Sequence, residues 1–296
     1  MIRITFLGTS GSVPTKKRGM PSVSLERDGS TYLFDCGEGT QRQMLLYGVN
    51  PSGLKAIFIS HVHGDHVIGI AGLLRTMALN RRTSPLDIFV PKGYEDAIKA
   101  LIVFDNARMG YKITVIGIGN GVVYKGNDFA IEAFRLKHSV PSYGYVFREN
   151  ERIHFIKDKA AKLGIKGKMF RELLSRKRIK SGDRTIRLSE VITKEEGISV
   201  AYVADTRPLP ETVKKVRGAD LLIHEATYLG DLEVLAKERM HSTVAEAASI
   251  AKKAKVDRLV LFHISARYKE DRKLAAEAKA IFNNSEVAKD GLKIIL

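Results

Sequence analysis

One short run of residues constrains this chain more than any other feature of its sequence. Directly after the apolar residues Ala56–Ser60, the chain reads His61-Val-His63-Gly-Asp65-His66. In an extended segment residues two apart face the same way, so His61 and His63 can bind one metal ion together. The glycine permits a tight turn, after which Asp65 and His66 point toward a neighbouring position. A lone histidine is most often a hydrogen-bonded polar side chain, but this density of ligand types at a strand end predicts a metal site.

Further metal ligands are expected at the ends of other strands, because four ligands cannot complete two metal sites. His138, Asp205 and His263 each follow an apolar strand pattern. A carboxylate such as Asp205 can bridge two cations, whereas an imidazole cannot. Their shared position at strand ends predicts that all three residues join the same metal centre.

The rest of the chain alternates between strand and helix patterns. Apolar runs bounded by glycines predict strands through the first sixty residues, and amphipathic stretches predict helices over Thr40–Tyr47, Val67–Leu79 and Tyr94–Asn106. Helices follow most of the later strands, which is an α/β pattern with mixed sheets. No internal repeat or Pro/Gly-rich linker divides the 296 residues, so we predict a single domain over residues 1–296 with one insertion.

The predicted insertion is a basic segment, Arg152–Arg187. The chain has a formal net charge of +16, and this segment alone contains thirteen Lys or Arg and three Asp or Glu, a net charge of +10. A surface charged only for solubility would spread such an excess, so the clustering favours a polyanionic partner. An ordinary surface hairpin with its cations in water is the alternative. We expect a projecting arm, with Lys166, Lys168 and Arg171 among the residues that bind nucleic acid.

Two features of the composition indicate where the chain works. Cys36 is its single cysteine, which rules out an internal disulfide framework and is typical of a reducing cytosol. No apolar stretch approaches the roughly 20 residues that a bilayer-spanning helix needs. We therefore predict a cytoplasmic protein without a membrane partner.

The predicted ligands together resemble the metallo-β-lactamase superfamily, whose defining run is His-x-His-x-Asp-His. The resemblance covers nearly the whole chain and implies an αββα sandwich of two mixed β-sheets flanked by helices, with the metals at one edge. It also implies two Zn²⁺ ions per subunit. The first zinc would be held by His61, His63 and His138, the second by Asp65, His66 and His263, and Asp205 would be shared. Asp35 matches a family position that steadies a metal ligand from behind.

Within that superfamily, three further stretches resemble tRNase Z. Pro14-Thr-Lys16-Lys-Arg18 resembles its Pro-x-Lys-x-Arg-Asn loop, with Gly19 in place of the asparagine. His224-Glu225-Ala-Thr227 matches its His-Glu-Ala-Thr motif, and His241-Ser-Thr matches the motif of its catalytic histidine. The basic segment stands where that family places an arm for the tRNA elbow, although here it lacks the prolines of the usual Gly/Pro-rich signature.

The tRNase Z resemblance implies an activity, removal of the 3′ trailer from precursor tRNA with a 3′-hydroxyl left on the tRNA. Water activated between the two metals would attack phosphorus in line, and Asp65 would accept its proton. His241, oriented by Glu225, would protonate the leaving oxygen. A homodimer is also implied, in which one subunit grips the tRNA elbow and the other cuts. The residues expected to contact substrate near the cleavage site are Pro14, Lys16, Arg18, His224 and Thr227.

Two other functions fit part of the sequence. A metallo-β-lactamase-fold thioesterase of the glyoxalase II type would share the metal ligands, but it would not account for the basic segment, His241 or Glu225. A non-catalytic zinc RNA-binding protein would explain the charge, but a purely structural zinc has no open coordination position. The nuclease hypothesis accounts for all of these features.

Overall fold

Two β-sheets packed face to face form the centre of the protein, in a computed structural model that describes residues 1–103, 109–181 and 184–296. In hydrogen-bonded order, the first sheet contains Lys293–Ile295, Ile2–Gly8, Ser22–Arg27, Ser30–Phe34, Leu54–Phe58, Leu86–Pro91 and Ile113–Ile118. The second sheet contains Ser285–Val287, Arg258–Phe262, Leu221–Glu225, Ser199–Val203, Ser142–Glu149, Phe129–Leu136 and Gly121–Lys125. Each sheet is half parallel and half antiparallel, so the predicted mixed α/β class is confirmed.

Helices cover the outer face of each sheet and complete the four layers of an αββα sandwich. Thr40–Tyr47, Gly69–Leu79 and Glu95–Val103 pack on the first sheet, and Pro210–Lys215, Val244–Ala254 and Arg272–Ile281 pack on the second. Two shorter helices are Gly64–Val67 and Glu233–Glu238, and 3-10 turns occur at Pro51–Gly53, Leu188–Glu190 and Gly230–Leu232. Among the helices that the structure describes, none is both long and apolar enough to cross a membrane.

Side-chain alternation explains why the central strands are apolar on both faces. In the strand Leu54–Phe58, Phe58 points between the sheets, where its ring stacks on Phe34 and Phe89 at centroid distances of 5.5 and 4.9 Å. Its neighbour Ile57 points the other way and joins the core under the helices of the first sheet. Both faces are therefore withdrawn from water, which gives an unbroken apolar run in the sequence.

The ends of the parallel strands bring the chemically active residues to one edge of the sandwich. His61 follows the strand Leu54–Phe58, and Asp205 and His263 follow strands Ser199–Val203 and Arg258–Phe262. Because parallel strands point the same way, their carboxyl ends meet at a common edge. His61, Asp205 and His263 therefore lie at that edge.

The basic segment has a small hydrophobic core of its own. The strand Arg152–Phe155 pairs with Ile192–Glu195, and between them lie helices Lys157–Lys162 and Lys168–Arg176 and the hairpin Arg178–Ser181 with Arg184–Arg187. Seven buried side chains form this core: Ala160, Ile165, Leu173, Ile179, Ile186, Leu188 and Val191. The paired strand that closes the ribbon follows residue 187, beyond the boundary that charge alone suggested, because its net charge is small and does not mark it.

Several predicted elements differ from those observed. The helix predicted over Val67–Leu79 begins at Gly64 and is interrupted at Ile68. The interruption has a packing cause, since the amide of Gly69 donates to the carbonyl oxygen of Cys36 (3.0 Å). A Cβ at Gly69 would lie 1.9 Å from the Gly37 carbonyl oxygen, so only glycine allows this approach.

The third predicted helix is observed as Glu95–Val103, and the rest of its predicted range, residues 104–106, lies outside the described residues. Strands Leu86–Pro91 and Gly121–Lys125 were not predicted. The first is bounded by no glycine on its N-terminal side and the second is an edge strand of only five residues, so neither has a strong local signal.

Candidate metal centre and active site

The His-x-His-x-Asp-His run begins after strand Leu54–Phe58 and continues into a short helix whose first residue is Gly64. His61 and His63 follow strand Leu54–Phe58, and His63, in extended backbone, is the residue that precedes helix Gly64–Val67. Asp65 and His66 lie on that helix and therefore face a different point. The run thus presents two pairs of ligands to two adjacent positions.

Three histidines and one aspartate converge at the first position. Nδ1 of His63 lies 3.0 Å from Nε2 of His61 and 3.3 Å from Nε2 of His138. Oδ2 of Asp205 lies 3.6 Å from the same nitrogen of His61 and 3.9 Å from that of His138. One atom from each residue lies within 4.8 Å of all the others, which is the spacing of ligands around a single ion.

The second position is built from the other half of the run. Oδ2 of Asp65 lies 3.5 Å from Nε2 of both His66 and His263. Oδ1 of Asp205 lies 3.6 Å from the nitrogen of His66 and 3.3 Å from that of His263. Asp205 therefore presents one carboxylate oxygen to each position, which is the geometry of a bridging ligand. All seven predicted ligands are brought together.

Asp35 orients the ring of His66 directly and the ring of His61 through Ser60. Its Oδ2 accepts hydrogen bonds from Nδ1 of His66 and from the hydroxyls of Tyr202 (both 2.7 Å) and Ser60 (2.8 Å). Because the Ser60 hydroxyl donates to this carboxylate, it accepts from Nδ1 of His61, 2.9 Å away. The His61 ring thereby carries its proton on Nδ1 and directs the Nε2 lone pair toward the metal positions. The bond to Asp35 fixes Nδ1 of His66 as a donor, so its Nε2 faces the same region.

The remaining histidines are oriented in the same way by other partners. Nδ1 of His138 donates to the carbonyl oxygen of Met240 at 3.0 Å. The Thr227 hydroxyl donates to Oε2 of Glu225 (2.8 Å) and so accepts from Nδ1 of His263 (2.9 Å). In both rings Nδ1 therefore carries a proton and Nε2 faces the proposed metal positions.

Three buried polar atoms at the second position have no hydrogen-bond partner among the described protein groups: Nε2 of His66, Nε2 of His263 and Oδ1 of Asp205. Buried acceptors without partners are costly, and three that point at one another are not explained by packing. Nitrogen and carboxylate donors in this number are what a divalent metal ion of the zinc type prefers. The residues therefore fit a metal.

The electrostatics of the site also suit a cation. Burial and the neighbouring imidazoles hold the pKa of His61 well below its ordinary value, so this ring is neutral and its lone pair is available. Burial lowers the pKa of His66, but Asp35 and Asp205 outweigh it and raise that pKa to about 10. The negative charge that does so would equally stabilise a bound metal.

His241 and Glu225, the predicted acid and its partner, lie beside the proposed metal positions. Nδ1 of His241 is 3.1 Å from Oε1 of Glu225 and 3.8 Å from Oδ2 of Asp205. Burial lowers the pKa of His241, but the charges of Glu225 and Asp205 outweigh it and raise the pKa to about 9. The imidazole is therefore able to donate a proton at neutral pH. Glu225 is fully buried and is held by backbone amides of Thr206, Thr227 and Ser242.

The residues predicted to contact substrate occupy two kinds of environment. Pro14 and Lys16 are exposed, as are Lys166, Lys168 and Arg171 of the basic segment. Arg18 is buried instead, and its guanidinium donates to Thr9, to the Ala288 carbonyl and to Asp271, each at 2.6 Å. His224 and Thr227 are also buried, and their nearest polar partners are protein groups.

Several residues of the site had not been predicted. Tyr202 and Ser60 hold Asp35, although a sequence pattern shows neither contact. A cavity of about 530 Å³ opens over His63, Asp65 and His241. Its wall also includes Tyr228, Arg239 and Arg267, and the Arg267 guanidinium lies 4.9 Å from the centre of the Tyr228 ring. In the sequence, the one feature that could have indicated Arg267 as a site residue is its position shortly after His263.

Comparison with known proteins identifies the family. A family model described as Anti-Pycsar protein Apyc1 matches residues 2–181, and one described as Beta-lactamase superfamily domain matches residues 157–264. Proteins named ribonuclease Z from Methanothermobacter thermautotrophicus and Archaeoglobus fulgidus are each 40% identical to this chain. The matches cover 98% and 99% of this chain and 95% and 97% of those proteins.

Solved structures agree with the sequence matches. The short form of human tRNase Z superimposes with a TM-score of 0.73 and 28% identity, covering 99% of this chain and 98% of that one. A diphosphatase of the PhnP family, at 19% identity and a TM-score of 0.69, shares the fold. The fold, the histidine and aspartate cluster and the full-length similarity to ribonuclease Z proteins agree, and the chain belongs to the ribonuclease Z family of the metallo-β-lactamase superfamily.

Proposed function

We propose that this protein is a zinc-dependent endoribonuclease that removes the 3′ trailer from precursor tRNA and leaves a 3′-hydroxyl on the tRNA. The observation that carries the proposal is the cluster of seven ligands, with an independent proton donor, His241, beside it. A metal site that served only to stabilise the fold would need no such donor at its open side. Membership of the ribonuclease Z family supports the choice of substrate.

Two zinc ions per chain are proposed, and the grouping of the ligands supports that number. The first would be held by His61, His63 and His138, the second by Asp65, His66 and His263, with Asp205 between them. Zinc bound there would supply an activated water and neutralise charge on the phosphodiester. Five of the seven ligands are imidazoles, a set that suits zinc better than magnesium or calcium.

The chain's own residues would then move the protons. Asp65 is placed to accept the proton of the attacking water, because its Oδ2 lies at the second metal position and the residue lines the cavity. The amide of Ser12 donates to the same oxygen (3.0 Å) and fixes its position. His241, held by Glu225, would protonate the leaving oxygen of the trailer.

Substrate contacts are proposed at two places. Exposed Pro14 and Lys16 would meet the RNA near the cleavage site, while Lys166, Lys168 and Arg171 would meet phosphates elsewhere on the tRNA. Arg18, His224 and Thr227 would act indirectly, because their side chains are buried inside the protein. Thr227, for example, connects Glu225 to the metal ligand His263.

A direct assay separates this function from its two rivals. Purified protein loaded with zinc is expected to cleave precursor tRNA at the trailer, to lose that activity with a chelator and to recover it when zinc is restored. S-lactoylglutathione is expected to remain intact. Hydrolysis of the thioester without RNA cleavage would support the thioesterase. Tight RNA binding with neither reaction would support a non-catalytic zinc protein.

The basic segment allows a second test. We expect replacement of residues 152–195 by a short linker to weaken precursor tRNA binding by several kcal/mol and to flatten the slope of log K against log salt concentration by several units. The whole paired ribbon is removed, because cutting at residue 187 would leave strand Ile192–Glu195 without its partner. Hydrolysis of bis(p-nitrophenyl) phosphate should continue, since none of the seven ligands lies in the deleted range.

Charge and shape can be separated by point substitutions. The triple change Lys166→Ala, Lys168→Ala, Arg171→Ala keeps the segment's core and should reduce the salt slope by about two to three units. A control with the same charge loss on the sandwich replaces the exposed residues Lys55, Lys92 and Lys99. Equal effects of the two triples would mean that the segment is an ordinary charged surface.

We further propose a cytoplasmic homodimer. Leu45, Leu46 and Leu79 are 68%, 55% and 83% exposed on two neighbouring helices of the first sheet, which supports an apolar contact between subunits there. If one subunit grips tRNA and the other cuts, the segment-deleted chain mixed with a His63→Ala chain should regain cleavage. Heterodimers that form but stay inactive would place both functions in one subunit.

A further inference from the structure

We propose that Arg207 and Glu246 form a clamp that positions His241 for proton donation. Neither residue touches a metal position or reaches into the cavity above it. Both would therefore be positioning residues that act through His241. This inference rests on the proposed role of His241 as the acid, and the experiments below separate a failure of that role from a failure of the clamp.

The guanidinium of Arg207 connects three acceptors. Its Nη1 donates to the backbone carbonyl oxygen of His241 and to Oε2 of Glu246 (2.9 Å), and its Nη2 donates to Oε1 of Glu246. The side chains of Arg207 and Glu246 are only 11% and 22% exposed, so water weakens the pair less than it would on an open surface. A planar guanidinium can bind both oxygens of a carboxylate through parallel N–H groups and still reach a carbonyl, a geometry that the compact ammonium of lysine does not reproduce.

Glu246 connects the Arg207 side chain to the backbone on the C-terminal side of His241. Its Oε2 accepts from the amide of Thr243 at 2.9 Å, while the Thr243 hydroxyl accepts from the amide of Glu246 at 3.2 Å. This reciprocal pair begins helix Val244–Ala254. The short segment that carries His241 is thus fixed at its own carbonyl and two residues later.

The segment needs such fixing because its backbone is strained. Met240, directly before His241, has φ 61°, a left-handed conformation that non-glycine residues avoid and that persists where surrounding contacts hold it. The carbonyl of Met240 also accepts from the metal ligand His138. Movement of this segment would therefore displace the acid relative to the metal positions.

Arg207 also joins the acid to the strand end that supplies Asp205. Its amide donates to the carbonyl of Lys137 at 2.8 Å, and the Thr206 carbonyl accepts from the Ser242 hydroxyl at 2.7 Å. The segment with Asp205 and the segment with His241 are therefore tied side by side. Errors of about 1 Å in such an arrangement cost on the order of 100-fold in rate.

The test compares Arg207→Lys and Arg207→Ala with the unaltered zinc-loaded enzyme. Both variants are expected to lower kcat for precursor tRNA by about 10- to 100-fold, with unchanged tRNA Kd and metal content. Bis(p-nitrophenyl) phosphate has a leaving group that needs no proton, so its hydrolysis should be largely retained. Glu246→Gln, which keeps the bond from the Thr243 amide but loses the charge, should have a smaller effect in the same direction.

The matched control is Arg258→Ala. Arg258 makes a comparable pair with Glu286, but it lies at the far end of strand Arg258–Phe262 from the site. Its loss should leave both activities unchanged. The proposed clamp is refuted if Arg258→Ala produces the same selective loss of tRNA cleavage. It is also refuted if the Arg207 variants lose both activities equally.

A double-mutant cycle decides whether Arg207 acts through His241. In a His241→Ala background, Arg207→Ala should cause no further loss of kcat, because the group that it positions is absent. If the two substitutions together multiply their separate losses of kcat, Arg207 does not act through His241 and the proposed clamp is refuted. If His241→Ala is itself equally damaging to both substrates, the acid role fails; if it is selective and the Arg207 variants are not, the clamp alone fails.

Discussion

Replacing His63 with alanine is expected to abolish hydrolysis of precursor tRNA and of bis(p-nitrophenyl) phosphate together. His63 is the proposed ligand whose Nδ1 lies within 3.3 Å of the facing nitrogens of both His61 and His138. Its removal would leave the first position with only His61, His138 and Asp205 to hold a metal ion. If the proposed two zinc ions are bound, metal analysis should show the content fall from about two ions per chain toward one.

The fold should survive this substitution. His63 is partly exposed and belongs to neither large hydrophobic core. Circular dichroism and the melting transition of the metal-free proteins should therefore agree. His154→Ala is the matched control, since His154 lies on the basic segment and pairs with exposed Glu195. A fully active His63→Ala enzyme would refute the metal assignment.

Replacing His241 with alanine is expected to lower kcat for precursor tRNA by about 10² to 10⁴, the contribution typical of general acid catalysis. The leaving oxygen of RNA needs a proton, and His241 is the protonated group that Glu225 holds at the cavity wall. Hydrolysis of bis(p-nitrophenyl) phosphate should be largely spared, because its leaving group departs as an anion. Single-turnover rates on the two substrates measure the difference.

Metal content gives the decisive control for His241. Its ring could in principle join Asp205 and His263 around an ion, because one atom of each lies within the same 4.8 Å. If His241 is the acid, His241→Ala should retain its zinc and its affinity for tRNA. Loss of zinc, with equal damage to both substrates, would identify His241 as a ligand instead.

The sequence was sufficient to predict which residues cluster at one edge of the sandwich. Ligands must be histidines or carboxylates, and they must follow strands that end at one edge, so residue type and position together predicted all seven residues that the structure brings together. The mixed α/β class followed from apolar runs with helical patterns behind them, because side-chain period is a local property. The sequence-level family resemblance is confirmed by the comparisons.

What the sequence could not show are contacts between distant residues. Tyr202 donates to Asp35 across 167 positions, and its burial beside that carboxylate depends on how the two sheets pack. Arg18 was expected to face the RNA, yet its guanidinium turns inward to Asp271. The loop's direction depends on tertiary partners that no local pattern contains.

Strand pairing and side-chain direction decide the remaining features for the same reason. The ribbon that carries the basic segment closes with Ile192–Glu195, a strand whose partner, Arg152–Phe155, lies about forty residues earlier. The Arg207 bridge to Glu246 and to the His241 carbonyl likewise joins three separate segments. The sequence by itself determined which groups could do the chemistry, because ligand type and local period are properties of single segments. Only the tertiary structure decided how those groups are held, because that depends on which segments pack against one another.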